Sequence, residues 1–319
     1  MKKQLVAAIL SVLLIVPAWA DDDAEVQKGV EIYNQGKYDE ALKLWQPLAD
    51  KGNPTAQTAI GVLYEMGQGV KQDTAEAVKW YRKAADQGDN SARNNLGALY
   101  EEGQGVEQNV EEAAKWYRKA AEKGDPVGQA RLGAMHEDGR GVKQDDAEAA
   151  NWYRKAAEQG EPDALSSLGA MYEDGRGVKQ NHAEALKLYR KAADLGDAVG
   201  LTNLAAMYEK GQGVKQDYAE AIKLYRKAAE QEYSEAQFSL GMLYREGQGV
   251  KQDDTEAAAW FRKAAEQSDP AAQNALGEMY AAGRGVKQDK AMAMDWFGKA
   301  AEQEYPEAQE NLKRLKGGN

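Results

Sequence analysis

One tetrapeptide occurs seven times at a fixed interval, and this recurrence restricts the fold more than any other feature of the chain. Gly67-Gln68-Gly69-Val70 is followed by Gly103-Gln104-Gly105-Val106, Gly139-Arg140-Gly141-Val142, Gly175-Arg176-Gly177-Val178, Gly211-Gln212-Gly213-Val214, Gly247-Gln248-Gly249-Val250 and Gly283-Arg284-Gly285-Val286. The step is 36 residues throughout, without insertion. A period of this length marks a stack of supersecondary units, each too small to bury its own apolar face and each packed on its neighbours. At 319 residues the chain exceeds what one core ordinarily holds, which suits an array.

Each unit reads as two helices. In the first copy a helix runs from about Pro54 to Met66, with Ala56, Ile60, Leu63 and Tyr64 at helical spacing. Proline marks its start in Asn53-Pro54, Asp125-Pro126, Glu161-Pro162 and Asp269-Pro270, because the first helical position needs no N–H. The Gly-x-Gly pair ends it, since glycine takes the left-handed conformation that closes a helix. The second helix opens on what reads as a capping box. Asp73 with Glu76 recurs as Asn109 with Glu112, Asp145 with Glu148, Asn181 with Glu184, Asp217 with Glu220 and Asp253 with Glu256. In the last copy Met292 replaces the glutamate, which predicts a weaker start after Asp289. An aromatic column follows: Trp80-Tyr81, Trp116-Tyr117, Trp152-Tyr153, Leu188-Tyr189, Leu224-Tyr225, Trp260-Phe261 and Trp296-Phe297. Next to small residues such as Ala84 and Ala85, it reads as core between helices and not as a cofactor site.

The composite pattern A-x-x-x-L-G-x-x-Y-x-x-G-x-G-V, then D-x-x-E-A-x-x-W-Y-R-K-A-A-x-x-G, resembles the Sel1-like repeats, relatives of the tetratricopeptide repeats. Seven 36-residue copies over residues 53–304 carry it. The resemblance implies an all-α, right-handed solenoid of stacked helix-turn-helix units. Residues 21–52, with Gly29, Ile32, Ala41, Trp45 and Leu48, resemble an ordinary tetratricopeptide unit without the Gly-x-Gly loop, expected to cap the array. Residues 305–319 repeat only a first helix, whose Lys313, Arg314 and Lys316 suit an exposed end and the helix dipole. The resemblance also implies an adaptor that contacts proteins. Some cysteine-rich secreted relatives are associated with β-lactam binding or hydrolysis. This chain has no cysteine and no S-x-x-K beside S-D-N and K-T-G, which weakens that transfer. An envelope enzyme acting on peptidoglycan or β-lactams is kept as the alternative.

The first twenty residues read as a cleaved export signal. Lys2 and Lys3 lead an apolar stretch from Leu5 to Val16, Pro17 breaks it, and Ala18-Trp19-Ala20 fits a cleavage site before Asp21. The apolar stretch is too short to span a bilayer, so a periplasmic or secreted protein without stable membrane insertion is expected. The formal net charge is −11, and loss of Lys2 and Lys3 makes it more negative. Such a surface mismatches nucleic acid and suits a basic protein or peptide.

No catalytic, cofactor or metal constellation stands out. His136 occupies the slot of Tyr64, Tyr100, Tyr172 and Tyr208 and reads as a packed core-edge residue; His182, in the slot of Thr74, Val110, Asp146 and Tyr218, reads as tolerant surface. The Gly-x-Gly loops lack the Lys-Ser/Thr of a phosphate loop, and no calcium-loop spacing occurs.

If the first helices line a concave side, as the tetratricopeptide resemblance suggests, the slots of Thr55, Thr58, Val62, Glu65 and Met66 face a groove. Val62, Ala98, Ala134, Ala170 and Ala206 would leave shallow room there. Glu65, Glu101, Glu137, Glu173 and Glu209, reinforced by Glu102, Asp138 and Asp174, would form an acidic ladder, or else a merely solvated face. In the sixth unit Phe238 and Met242 stand four residues apart on one face, either as an anchor for a partner or as a tighter contact with the neighbouring helix.

Overall fold

The computed structural model describes residues 20–317, with side chains from residue 24. Apart from the backbone of Ala20, the expected export signal lies outside them. Among the described residues the chain is helical throughout and contains no strand. It divides into two compact units, one up to Glu161 and one from Pro162.

The first unit holds α1 (Ala20–Asn34), α2 (Tyr38–Asp50), α3 (Pro54–Met66), α4 (Thr74–Asp86), α5 (Asn90–Glu102), α6 (Val110–Ala121), α7 (Pro126–Asp138) and α8 (Asp146–Glu158). The second holds α9 (Pro162–Asp174), α10 (His182–Asp194), α11 (Ala198–Lys210), α12 (Tyr218–Ala229), α13 (Ser234–Glu246), α14 (Asp254–Glu266), α15 (Pro270–Ala282), α16 (Lys290–Glu302) and α17 (Pro306–Gly317). Within each unit a helix packs mainly on the helices before and after it in sequence, the arrangement of an α-solenoid.

Local chemistry sets these boundaries. Asn53, Asp89 and Asp125 cap the first helices by accepting the backbone N–H three residues on, at 2.9, 2.7 and 2.7 Å. Gly67 closes α3 with φ 67° and ψ 34°, donating its N–H to the Leu63 carbonyl. The second helices start with half of the expected capping box. Asp73 accepts from the Glu76 N–H at 2.9 Å, but its own N–H donates to the Tyr64 carbonyl at 2.9 Å. The glutamate is thereby released and pairs with Lys79 at 2.7 Å instead, as Glu112 does with Lys115 at 3.0 Å. The same backbone bond, Asp289 to Tyr280, serves the last copy. Asp289 still accepts from Ala291 and Met292 at 2.9 and 3.0 Å, so the cap bond itself is kept without the glutamate.

Burial is a series of small cores. Several are closed by a tryptophan from the following second helix: Trp80 seals the core around Trp45, Ile60 and Leu63, Trp116 that around Tyr81 and Leu96, and Trp152 that around Tyr117 and Leu132. In the second unit Trp260 and Trp296 do the same around Tyr225 and Phe261. Lys83, Lys119 and Lys155 lay their ammonium groups over the indoles of Trp80, Trp116 and Trp152 at 3.9, 3.6 and 3.8 Å from the ring centres, which favours both partners.

Two close approaches fix the register. A Cβ added at Gly61 would stand 2.5 Å from the Tyr81 ring, and one at Gly97 2.6 Å from the Tyr117 ring, so each ring lies on bare backbone. Within a unit the second glycine of the loop seats on the preceding second helix: a Cβ at Gly105 would meet the Thr74 backbone at 2.5 Å, and one at Gly141 the Val110 carbonyl at 2.2 Å. The loop at Gly213 sits in the same way on His182, which is half-buried beneath it and not on tolerant surface.

Candidate protein-binding face of the first helices

The expected acidic ladder exists as a set of residues, but each rung is tied from below. The tyrosine of the second helix donates its hydroxyl to the glutamate in the last turn of the first helix. The bonds are Tyr81 to Glu65 at 2.7 Å, Tyr117 to Glu101 at 2.9 Å, Tyr153 to Glu137 at 2.8 Å, Tyr189 to Glu173 at 2.9 Å and Tyr225 to Glu209 at 2.8 Å. The tyrosines are buried and the glutamates half-buried. Burial, then the adjacent carboxylate, pushes the Tyr81, Tyr117, Tyr189 and Tyr225 hydroxyls well above their ordinary value of 10.0. Glu101 also takes Arg140 of the following loop on its other oxygen.

The rung changes as a pair. In the sixth repeat Tyr gives way to Phe261 and Glu to Arg245; in the seventh they become Phe297 and Ala281. Losing the hydroxyl removes the donor, and the half-buried carboxylate that needed it goes as well. The Arg245 guanidinium instead lies 5.6 Å from the centre of the Phe261 ring and 3.6 Å from Glu278.

Phe238 occupies a slot with a definite task in other repeats. There Thr58, Asn94 and Ser166 donate to the cap of the next first helix, to Asp89 at 3.1 Å, Asp125 at 2.7 Å and Asp197 at 2.7 Å. Phe238 replaces that polar bridge with a ring contact, its centroid 5.6 Å from that of Phe261. Met242 packs on the same core and accepts from Arg245 at its sulfur, 2.9 Å away. Both side chains remain half-buried.

Two of the expected groove slots point elsewhere in the first repeat: Thr58 and Val62 are 4% and 3% exposed, held between successive first helices. The solvent-facing row includes Val127 and Arg131 on α7, Asp163 on α9, Val199 on α11, Glu235 on α13 and Glu278 on α15. The slot of Arg131 escaped the sequence reading. Its signal was its variation across copies as Ala59, Asn95, Arg131, Ser167, Asn203, Ser239 and Ala275. The positive charge of Arg131 opposes the rise of the Tyr117 hydroxyl beneath it.

His136 is buried in its tyrosine slot. Among the described residues no three His, Cys, Asp or Glu side chains are grouped to hold a metal ion, and no helix is long and apolar enough to cross a membrane.

Comparison with protein families finds the Sel1 repeat over residues 29–53, 54–89, 90–125, 126–161, 162–197, 198–233, 234–269 and 270–305. The first of these eight falls on the segment that resembles a tetratricopeptide unit. Among solved structures, c5321, a protective antigen present in uropathogenic Escherichia coli strains and displaying an SLR fold, is 38% identical. That alignment covers 99% of this chain and 68% of that one, with a TM-score of 0.70. A Sel1 repeat protein from Oxalobacter formigenes is 35% identical over 75% of this chain and 96% of its own, also with a TM-score of 0.70. No curated protein matches the sequence. Eight consecutive matches place the chain in the Sel1 repeat family.

Proposed function

We propose that this protein is an exported scaffold that binds a protein or peptide along its first helices, acting in the bacterial envelope or toward host cells. Sel1 repeat proteins are generally protein-interaction scaffolds. The observation that carries the reading is the division of labour within the repeat. Positions that recur between copies serve packing, as Gly61 under Tyr81 and Asp125 under Asn94 do. Positions that vary, such as Val127, Arg131, Asp163, Val199 and Glu235, stand on the solvent side of the first helices. Variable side chains on a rigid frame are what recognition of one partner among many requires.

Glu65, Glu101, Glu137, Glu173 and Glu209 enter this reading in a second capacity. Their carboxylates are anchored by tyrosines yet half-exposed; Glu101 is paired with Arg140, while Glu173 and Glu209 present fixed negative charge that suits a basic partner. Phe238 and Met242 supply an apolar contact at the sixth repeat. Export rests on residues 1–20, and the description of the Escherichia coli relative as a protective antigen fits it.

The test is capture from an envelope extract with the chain from Asp21 as bait, then surface plasmon resonance. Glu173→Gln with Glu209→Gln keeps an acceptor for each tyrosine while removing charge, so slower association with a flatter salt dependence is expected. Phe238→Ala with Met242→Ala is expected to speed dissociation. Unchanged kinetics in both variants, with helical content intact, defeats the first-helix assignment. N-terminal sequencing of exported protein should begin at Asp21; recovered material retaining Leu5 to Val16 defeats the export signal.

A further inference from the structure

In the last repeat a cleft of about 380 Å3 opens between α15, the start of α16 and α17, lined by Ala281, Gln288, Lys290, Arg314 and Leu315. The same place one repeat earlier shows what this seat is built to hold. There Asp254, the counterpart of Lys290, receives the Arg284 guanidinium at 3.0 and 3.2 Å, delivered by the following loop. Glu278, the counterpart of Arg314, faces Arg245 at 3.6 Å, and Arg245 is the counterpart of Ala281. The last seat therefore reverses two charges and empties a third position. Both carboxylates have become cations, and the long arginine has become a methyl group.

Neither cation is neutralised locally. Lys290 and Arg314 form no ion pair among the described residues, and Arg314 donates only to the amide oxygen of Asn311, at 2.7 Å. The carboxylate on the adjoining helix, Glu278, is committed elsewhere. Asn274 and Asn311 donate to one of its oxygens, each at 3.3 Å, and Arg245 faces the other. The side chain of Asp289 accepts the N–H groups of Ala291 and Met292, and Gln288 donates to the Ala281 carbonyl at 2.9 Å. Two unpaired cations over an apolar floor of Ala281 and Leu315 call for a carboxylate on a short carbon stem.

We infer that this cleft docks an acidic segment of a partner protein, seating an Asp or Glu side chain between Lys290 and Arg314. The site is distinct in sign from the first-helix face, which suits a basic partner. It rests on the scaffold reading only for the identity of its occupant. A chain of formal charge −11 disfavours an acidic ligand overall, so its binding would depend on a local cluster of cations such as this one.

The experiment titrates a fluorescein-labelled hexaglutamate peptide into the full chain at low salt, followed by anisotropy, with a hexalysine peptide and sodium acetate in parallel. Saturable hexaglutamate binding, weakened at least tenfold in Lys290→Glu with Arg314→Glu and largely kept in Lys187→Glu with Lys223→Glu, which shifts the net charge equally on exposed lysines outside the cleft, is the expected result. Circular dichroism checks that each variant keeps its helix content, and Lys290→Gln with Arg314→Gln provides a milder pair. Absence of hexaglutamate binding overturns the inference, as does equal affinity in the charge-reversed and original chains. So does acetate competing at concentrations no higher than those of the peptide, which means that a free anion suffices. Sedimentation showing a dimer lost with Lys290→Glu and Arg314→Glu assigns the seat to a second copy and also overturns it. Because the partner kinetics report on Glu173, Glu209, Phe238 and Met242 and this titration on Lys290 and Arg314, either can fail alone.

Discussion

The rung between Tyr225 and Glu209 shows how one hydroxyl governs what its neighbour can be. The carboxylate is half-buried and the phenol almost wholly so, and a buried acceptor that loses its donor keeps its desolvation penalty. Tyr225→Phe is therefore expected to lower stability by about 1–3 kcal/mol in urea denaturation, and adding Glu209→Ala should recover part of the loss. The last repeat already contains that end state, Phe297 with Ala281. The coupling was legible in the sequence, because the glutamate disappears in the same two copies where tyrosine becomes phenylalanine. It was missed because the partners lie 16 residues apart on different helices, where no helical spacing joins them. A similar local substitution explains Trp260. Its N–H donates to Glu256 at 2.9 Å, a carboxylate left free because Ala259 stands where Lys79 and Lys115 pair with their glutamates.

At the scale of the helix, the caps carry more than their own helix. Asp125 accepts both the Gly128 N–H and the Asn94 amide of the preceding first helix, so it joins two repeats as well as starting α7. Asp125→Ala is expected to cost about 2 kcal/mol, a lost cap plus a stranded amide, and Asp145→Ala, which starts α8 alone, about 1 kcal/mol. Urea midpoints of the two variants give the comparison. Trp116→Ala, which opens the core around Tyr81 and Leu96 to its next repeat, should cost about 3–5 kcal/mol by the same measurement. The helices themselves were readable because glycine loops, prolines and Asp caps act within a few residues. The direction in which Thr58 or Phe238 points was not, since it depends on how one first helix lies against the next. That is why Phe238, read as a partner anchor or a neighbour contact, proves to fill the inter-repeat bridge position.

Across the whole molecule the tyrosine rungs make stability depend on alkaline pH. The folded hydroxyls of Tyr81, Tyr117, Tyr189 and Tyr225 sit above the ordinary 10.0 because of burial and the glutamate beside each. In the unfolded chain they ionise near that ordinary value. Above it the unfolded state binds fewer protons than the folded one, so stability is intact below pH 10 and falls as pH rises beyond it. The share of the 295 nm tyrosinate absorbance that belongs to these four, read as the difference from the chain with phenylalanine in their place, is expected to appear late and together with the loss of helical circular dichroism. Replacing these four tyrosines by phenylalanine, with the paired glutamates as alanine, should move the transition to higher pH.

The seating of the Gly-x-Gly loops on the helix before them, Gly105 on Thr74 and Gly141 on Val110, gives junctions within a unit two matching halves, one contributed by each side. A gene encoding such a chain can lose or duplicate a 36-codon cassette by recombination between its own near-identical stretches, and the new junction is chemically the old one. Length is thus free to drift by whole cassettes while the fold stays intact. What such an event alters is the spacing between ligand contacts, so lineages carrying different numbers of cassettes would differ in the span of partner they hold and not in how they are built.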